Sequence, residues 1–310
     1  MHQFSIITPT YNRSKYLPRI YECLCHQDEI DFEWIIVDDG STDNTKEIIK
    51  TFKSLFKIKY VFQENEGQLS ARNTGTRIAN SYILAKLDDD DLLCHGTLKK
   101  VWSYFNFNKK MFENDCVCLS GLCKYENGDI IGNKFPYDYF ISDHISCRHN
   151  IPVNGDKYEF YLTDIIKKYP FPVIPGEKNM PPHIVHDRIA RDHKTLYINN
   201  IFAIKYFFIG GLSSQKYIYK YTKGSELYFN EASMFPFNLK LQIVHSSYYI
   251  YFAKKNNKKC IYINALNKNI FLLGLLRYFL LLIKMFLIKF KIMKFLNNKS
   301  NFNKIITKEY

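Results

Sequence analysis

Four consecutive carboxylates, Asp88-Asp89-Asp90-Asp91, stand directly after the apolar run Tyr82-Ile83-Leu84-Ala85 and Leu87, and before Leu92-Leu93. A strand that ends in clustered acids holds them at the carboxyl edge of a sheet, where open α/β sheets bind ligands. Adjacent negative charges repel one another. A hard divalent cation with oxygen ligands, Mn²⁺ or Mg²⁺, relieves that repulsion and favours phosphate as a further ligand. The run therefore predicts a metal and a phosphate at this edge. The other use of such a run is a solvated acidic loop that caps the next helix.

Upstream, three more polar clusters follow predicted strands. Phe4-Ser5-Ile6-Ile7 reads as a strand, Thr8 to Arg13 as a turn, and about Lys15 to Cys25 as a helix. Phe32-Glu33-Trp34-Ile35-Ile36-Val37 is a buried strand stopped by Asp38-Asp39-Gly40-Ser41. Thr42 or Asp43 caps the helix after it, with Glu47 near the capping-box position. Ile58-Lys59-Tyr60-Val61-Phe62 is a third strand, Gln63 to Gly67 its loop, and Gln68 to Asn80 a helix leading into the strand that ends at the acids. Alternating strands and helices predict an α/β fold with a mostly parallel sheet and right-handed crossovers.

Thr8-Pro9-Thr10-Tyr11-Asn12-Arg13, then Val37-Asp38-Asp39-Gly40-Ser41-Thr42-Asp43, then Asn65-Glu66-Gly67 with Ser70-Ala71-Arg72-Asn73-Thr74-Gly75, then Leu87-Asp88-Asp89-Asp90-Asp91 resemble, in order and spacing, the motifs of the family 2, GT-A fold, inverting glycosyltransferases. The resemblance covers roughly the first hundred residues. It implies a Rossmann-like sheet flanked by helices, a nucleotide-diphosphate-sugar donor with uridine as the expected base, a divalent metal, and inversion at the anomeric carbon. Residue by residue, Asp39 corresponds to the acid that reads the nucleobase, and Thr8, Pro9 and Tyr11 to the wall beside base and ribose. Arg72 corresponds to the basic residue beside the nucleotide. Asp88 and Asp90 match the ends of the metal-binding Asp-x-Asp, with Asp88 and Asp89 also on the sugar-nucleotide side. Asp38 is either a direct ligand or an Asx-turn residue.

An inverting transfer needs a base to deprotonate the acceptor hydroxyl. Phe171 to Pro181, containing Gly176-Glu177-Lys178, followed by Asp187-Arg188-Ile189-Ala190, is similar to a subgroup that reads Gly-Glu-Lys-Phe-x-Pro-Glu here. The resemblance makes Glu177 the expected base and Asp187 the next candidate. The chain departs from that subgroup at His183, where an acid is usual, and at His186 and Asp187. A zinc site built on His183, His186 and His193 lacks a cysteine or a paired acid to complete it. Gly210-Gly211-Leu212-Ser213 reads as a loop over the donor or as a plain turn. The eight cysteines, without a Cys-x-x-Cys pair, are expected to be reduced small hydrophobes in a cytosolic chain with no secretory signal.

The basic excess is C-terminal. Residues 1–210 hold 26 Lys and Arg against 27 Asp and Glu, and residues 211–310 hold 17 against 3. Within the second set, Asn269 to Leu296 is apolar but for Arg277, Lys284, Lys289, Lys291 and Lys294. On a helical wheel Arg277, Lys284 and Lys291 form a narrow basic stripe opposite Leu275, Phe279, Leu282, Phe286 and Met293. Uninterrupted apolar runs there are too short to span a bilayer. Two readings remain: a helix lying in the anionic inner leaflet, or one docked on protein. No recognised nucleic-acid module accompanies the charge, so nucleic acid is not an expected partner.

The expected organisation is therefore residues 1–100 as the nucleotide-sugar half of a GT-A domain, 101–215 as the acceptor half, and 216–310 as a basic helical extension. The expected protein is an inverting glycosyltransferase acting on a glycan or lipid-linked acceptor in surface polysaccharide synthesis, peripheral on the inner face of the membrane. Two alternatives use the same features. A sugar-phosphate nucleotidyltransferase shares the strand-edge acids but needs a Gly-rich triphosphate loop that this chain lacks, and a non-catalytic membrane-binding scaffold could keep the fold.

Overall fold

A computed structural model describes residues 1–27, 30–151, 153–206, 222–234, 239–258, 269–280 and 282–283. The chain divides into two compact units, residues 1–224 and 225–310.

In the first unit the described strands are β1 (His2–Thr10), β2 (Phe32–Asp38), β3 (Lys57–Phe62), β4 (Ser81–Lys86), β5 (Leu92–Leu93), β6 (Cys116–Lys124), β7 (Tyr139–Ser142), β8 (Lys157–Leu162) and β9 (Lys194–Ile204). They form one sheet in the order β3-β2-β1-β4-β8-β6-β9-β5, with β7 beside β9. The β3-β2-β1-β4 half is parallel, as alternating strands and helices predict. Beyond β4 the sheet is mixed: β8 runs antiparallel to both β4 and β6, and β9 is parallel to β6. Every residue of β2 is buried, which explains its unbroken apolar run. Thr10 is level with Asp38, and Asp38 with Phe62, so the loops after β1, β2 and β3 leave from one edge.

Local details differ from the sequence reading for physical reasons. The first helix is split into a 3-10 turn, Ser14–Tyr16, and an α-helix, Leu17–Cys25, that starts with a proline in its first turn. The next helix begins at Thr45, later than a Thr42 or Asp43 cap requires. The Asp43 carboxylate instead accepts N–H groups from both Thr45 and Ser14, each at 3.1 Å, and so ties the helix to the 3-10 turn. The helix Gln68–Ile78 lies on β1 and β2 through Gly75, where a Cβ would stand 2.4 Å from Ile7 Cγ2. The seven described cysteines are free thiols, and Cys260 lies outside the described residues.

In the second unit, Phe229 stacks on Tyr248 and Phe252, with ring centroids 4.9 and 5.7 Å apart. The helix 269–280 approaches Leu239–Lys255 closely at Gly274, where a Cβ would stand 2.7 Å from Ser246 Cβ. Arg277 turns inward: its Nη1 donates to Ser247 Oγ at 2.6 Å and the guanidinium lies over the Tyr248 ring. This corrects the predicted stripe, because Arg277 is on the docked face. Leu272, Leu273, Leu276, Phe279, Leu280 and Ile283 face outward, between 41% and 58% exposed. Lys284 and Lys291 lie outside the described residues. No described helix is long and apolar enough to cross a membrane.

At the sheet edge opposite the acids, Glu33 is fully buried and accepts from Lys59 Nζ and Ser5 Oγ at 2.6 Å and from Asn80 N–H at 2.7 Å. It joins β1, β2, β3 and the approach to β4. Burial pushes its pKa up, but the Lys59 ammonium and the two neutral donors together hold it below the usual carboxylate value. A lowered folded-state pKa contributes stability above the unfolded value of ~4.3 and loses it as pH falls through the folded value. Glu33→Gln is therefore expected to destabilise the chain by about 1–3 kcal/mol at pH 7, with the gap to wild type narrowing by pH 3. Urea melts at the two pH values measure this, and an equal gap at both would refute it.

Candidate active site

The four loops at the carboxyl edge are fastened to one another before any ligand is considered. Asn12, in the left-handed region at φ 52°, accepts the Thr42 N–H at 2.7 Å through Oδ1, while its own N–H donates to Ser41 Oγ at 2.9 Å. Gly67, at φ +101°, lets the segment around Lys178 cross the start of the helix Gln68–Ile78. A Cβ there would stand 2.0 Å from the Lys178 carbonyl oxygen.

The acid run alternates. Asp88 and Asp90 side chains are 25% and 27% exposed, whereas those of Asp89 and Asp91 are 9% and 6% exposed. Each has a cation: Arg72 Nη2 on Asp88 at 2.5 Å, Lys205 Nζ on Asp91 at 2.6 Å, and the Arg13 fork on Asp89 and Asp90, both at 2.9 Å. Burial lifts the Asp89 carboxyl to about 7 against the pull of Arg13, and the neighbouring acids add to the rise. Asp91 and Asp88, in turn, raise the Lys205 ammonium above its ordinary value despite its burial.

The two open acids fit a divalent cation. Asp88 uses Oδ1 toward Arg72 and Gln68, and Asp90 Oδ2 toward Arg13, so among the described residues each keeps one carboxylate oxygen with no protein partner. Hard oxygen donors from two carboxylates suit Mn²⁺ or Mg²⁺, with phosphate oxygens and water completing the shell. Among the described residues no three His, Cys, Asp or Glu side chains converge as a metal site.

Arg72, expected beside the nucleotide, stands at the same edge and pairs with Asp88. Asp39 is buried and already engaged, accepting Gln63 Nε2 at 2.8 Å and the N–H groups of Glu66 and Gly67 at 3.0 and 2.8 Å. It shapes the loop after β3. Thr8 corrects the predicted wall, since its hydroxyl accepts the Trp34 indole N–H at 2.9 Å inside the core. Pro9 is buried in β1, and Tyr11 is 48% exposed at the edge. Asp38 takes its alternative role, accepting Ser41 N–H and Tyr60 Oη–H, both at 2.8 Å.

The two candidate bases occupy different settings. Both Glu177 oxygens accept backbone N–H groups, from Lys223 at 2.9 Å and Gly224 at 2.7 Å, in the first turn of the helix Thr222–Ser233. That is the geometry of a helix cap. Asp187 is 1% exposed in the helix His183–Ile189; its Oδ1 is 3.1 Å from His144 Nδ1, and its Oδ2 has no partner among the described residues. His144 stacks near His186 and His183, at centroid distances of 5.1 and 6.2 Å, and Tyr161 Oη lies 2.5 Å from His186 Nδ1. Burial holds His183 down to about 4, so both it and its more strongly depressed neighbour His186 are neutral near pH 7. His193 packs edge-on against Tyr169. Gly210 to Ser213 lie outside the described residues.

Sequence reasoning did not assign Arg13, His144 or Lys205 to the site. Lys205 left one signal, a lone charge ending the apolar run Ile201-Phe202-Ala203-Ile204. His144 left none.

Residues 5–169 match the family model of glycosyl transferase family 2. Over 141 residues the chain is 51% identical to the chondroitin synthase of Escherichia coli, covering 44% of this chain and 19% of that protein. The chain spans about a fifth of the length of the first curated relatives it matches. Among solved structures, S. aureus TarS 1-349 in complex with UDP-GlcNAc superposes with a TM-score of 0.60 at 19% identity, covering 82% of this chain and 72% of that one. The mannosyltransferase PcManGT from Pyrobaculum calidifontis, in complex with GDP-Man and Mn²⁺, gives 0.53 at 15% identity, covering 90% and 87%. Both likenesses are of fold.

Proposed function

This chain belongs to glycosyl transferase family 2, and from that premise we propose that it transfers a sugar from a nucleotide-diphosphate donor to a glycan or lipid-linked acceptor, with inversion, in surface polysaccharide assembly. The observation that carries the reading is the alternation at the end of β4: two buried acids anchor the loop, while Asp88 and Asp90 keep free oxygens at the sheet edge beside Arg72. A UDP-sugar is the favoured donor, in line with the UDP-GlcNAc complex of TarS. A relative named for the synthesis of chondroitin favours a glycan acceptor.

In this reading residues 1–100 hold the donor, with the nucleotide beside Tyr11, Asp39 and Arg72. Asp88 and Asp90 would hold Mn²⁺ or Mg²⁺, which neutralises charge on the departing diphosphate as a Lewis acid. Residues 101–215 supply the acceptor side. Of the two candidate bases, Asp187 fits better than Glu177, whose oxygens are both used as a cap. The imidazole of His144 holds Asp187 Oδ1, and the unpartnered Oδ2 takes the proton of the acceptor hydroxyl. The acceptor oxygen bonds to the anomeric carbon from the face opposite the diphosphate. The electron pair of the breaking carbon–oxygen bond leaves with the nucleoside diphosphate, so the configuration inverts.

Residues 216–310 would seat the enzyme on the inner face of the membrane. Support comes from the outward leucines of the helix 269–280 together with the C-terminal basic excess.

Three outcomes test this. Asp90→Ala should abolish transfer, read as UDP released from a panel of nucleotide sugars with Mn²⁺, and wild-type activity in excess chelator would sink the metal assignment. Asp187→Asn should lower turnover by about 10² or more, the scale of a lost general base, and Glu177→Gln by less than tenfold; the reverse order would return the role to Glu177. The chain should also co-sediment with vesicles containing anionic lipid and be released as salt rises, since each basic residue near the surface contributes about 1 kcal/mol that screening weakens. Equal recovery in the supernatant with anionic and neutral vesicles at every salt concentration would remove the membrane reading.

A further inference from the structure

On the sheet face covered by the helix Gln68–Ile78 lies a cavity of about 610 Å³, bounded by that helix, by Lys86 on β4 and by the segment 166–173. Its size suits a small organic ligand. Its lining is cationic and aromatic: Arg77, Lys86 and Lys167 face it together with Tyr169 and Phe171. The one carboxylate in the lining, Glu66, already accepts the Ser70 hydroxyl at 2.7 Å.

Lys86 is the anomaly. Arg13, Arg72 and Lys205 each ion-pair with an aspartate. The Lys86 ammonium instead sits 4.8 Å from the Phe171 ring centroid and 5.8 Å from that of Tyr161, with no carboxylate in ion-pair distance among the described residues. The carboxylates of Glu159 and Asp88 act on it only from beyond ion-pair distance, so this half-buried cation is left short of counter-charge, which is costly, and a bound anion would offset that cost. The aromatic wall is also built. Asn73 holds the Phe171 backbone from both sides, its Nδ2 donating to the carbonyl at 2.8 Å and its Oδ1 accepting the N–H at 2.9 Å. Lys167 donates to the Ala79 carbonyl at 2.7 Å and keeps further N–H donors.

We propose that this cavity is an acceptor subsite for an acidic sugar, its carboxylate or phosphate held by Lys86, Arg77 and Lys167 and its apolar ring face laid on Tyr169, with Phe171 backing the wall. The proposal rests on the reading of the chain as a glycosyltransferase. Lys86 stands two positions before Asp88, about 7 Å along an extended chain. A sugar anchored at Lys86 is therefore close to the one that reacts. The subsite would select acidic over neutral acceptors.

Titration calorimetry on the full chain tests this with three probes: tetragalacturonate, its carboxyl-reduced neutral counterpart, and a glycerol phosphate oligomer of matched length. UDP with Mn²⁺ is titrated in parallel. At least one anionic probe should bind, and the neutral one should bind at least tenfold more weakly. Preference between the two anions assigns carboxylate or phosphodiester. Lys86→Met should weaken the anionic probe at least tenfold. So should the pair Arg77→Gln with Lys167→Gln, two exposed positions whose loss does not threaten the fold. Equal binding of the neutral probe, or unchanged binding in both variants, would overturn the subsite. Absence of any oligosaccharide binding while UDP binds would overturn the subsite alone, whereas failure of UDP to bind would count against the donor reading itself.

Discussion

Charge compensation at the end of β4 is the constraint on which the first unit depends. Two like charges about 4 Å apart cost about 4 kcal/mol each pair near a protein surface, so four adjacent carboxylates cannot be held together unaided. Arg13 comes from the loop after β1, Arg72 from the helix Gln68–Ile78, and Lys205 from the end of β9. Each cation draws its own segment to the acids. The run therefore fastens the first strand, a crossover helix and the last strand of the sheet to one point.

The compensation is uneven, and the unevenness is useful. The acid run is a turn, closed by the Asp91 N–H on the Asp88 carbonyl at 3.1 Å, and it leaves its side chains alternately open and enclosed. Asp89 and Asp91 are enclosed with their cations and serve the fold. Asp88 and Asp90 stay open, each tied through one oxygen and, among the described residues, without a partner at the other. The second half of the unit separates its acids in the same way. Glu177 is consumed by a helix start, while Asp187, steadied by His144, keeps an oxygen unpartnered in a buried setting. An acid whose oxygens are both occupied by backbone donors holds structure, and one with a free oxygen can accept a proton.

The parallel half of the sheet and the donor edge were legible along the chain. Strand and helix periodicity, with polar clusters closing each strand, is a local pattern, and so is the order of Thr8 to Arg13, Asp38-Asp39, Arg72 and the acid run. What escaped was every role set by a distant partner. Thr8 left the predicted wall because the indole of Trp34 reaches its hydroxyl from β2. Asp39 is taken up by the loop at Glu66 and Gly67. Arg277 left the predicted basic stripe because Ser247 and Tyr248 offered it a docked position.

The sequence by itself determined the family, the α/β order of the first hundred residues, and the place of the acids at a strand end, because these depend on periodicity and on residues adjacent in the chain. Only the tertiary structure decided which acids stay open, which cations answer them, and which of Glu177 and Asp187 retains a free oxygen. Those outcomes turn on hydrogen bonds and ion pairs between residues tens to more than a hundred positions apart, such as Asp91 with Lys205 and Asp187 with His144. A side chain's chemistry is written in its own residue type, but whether that chemistry is free or spent is fixed by the groups that folding brings against it.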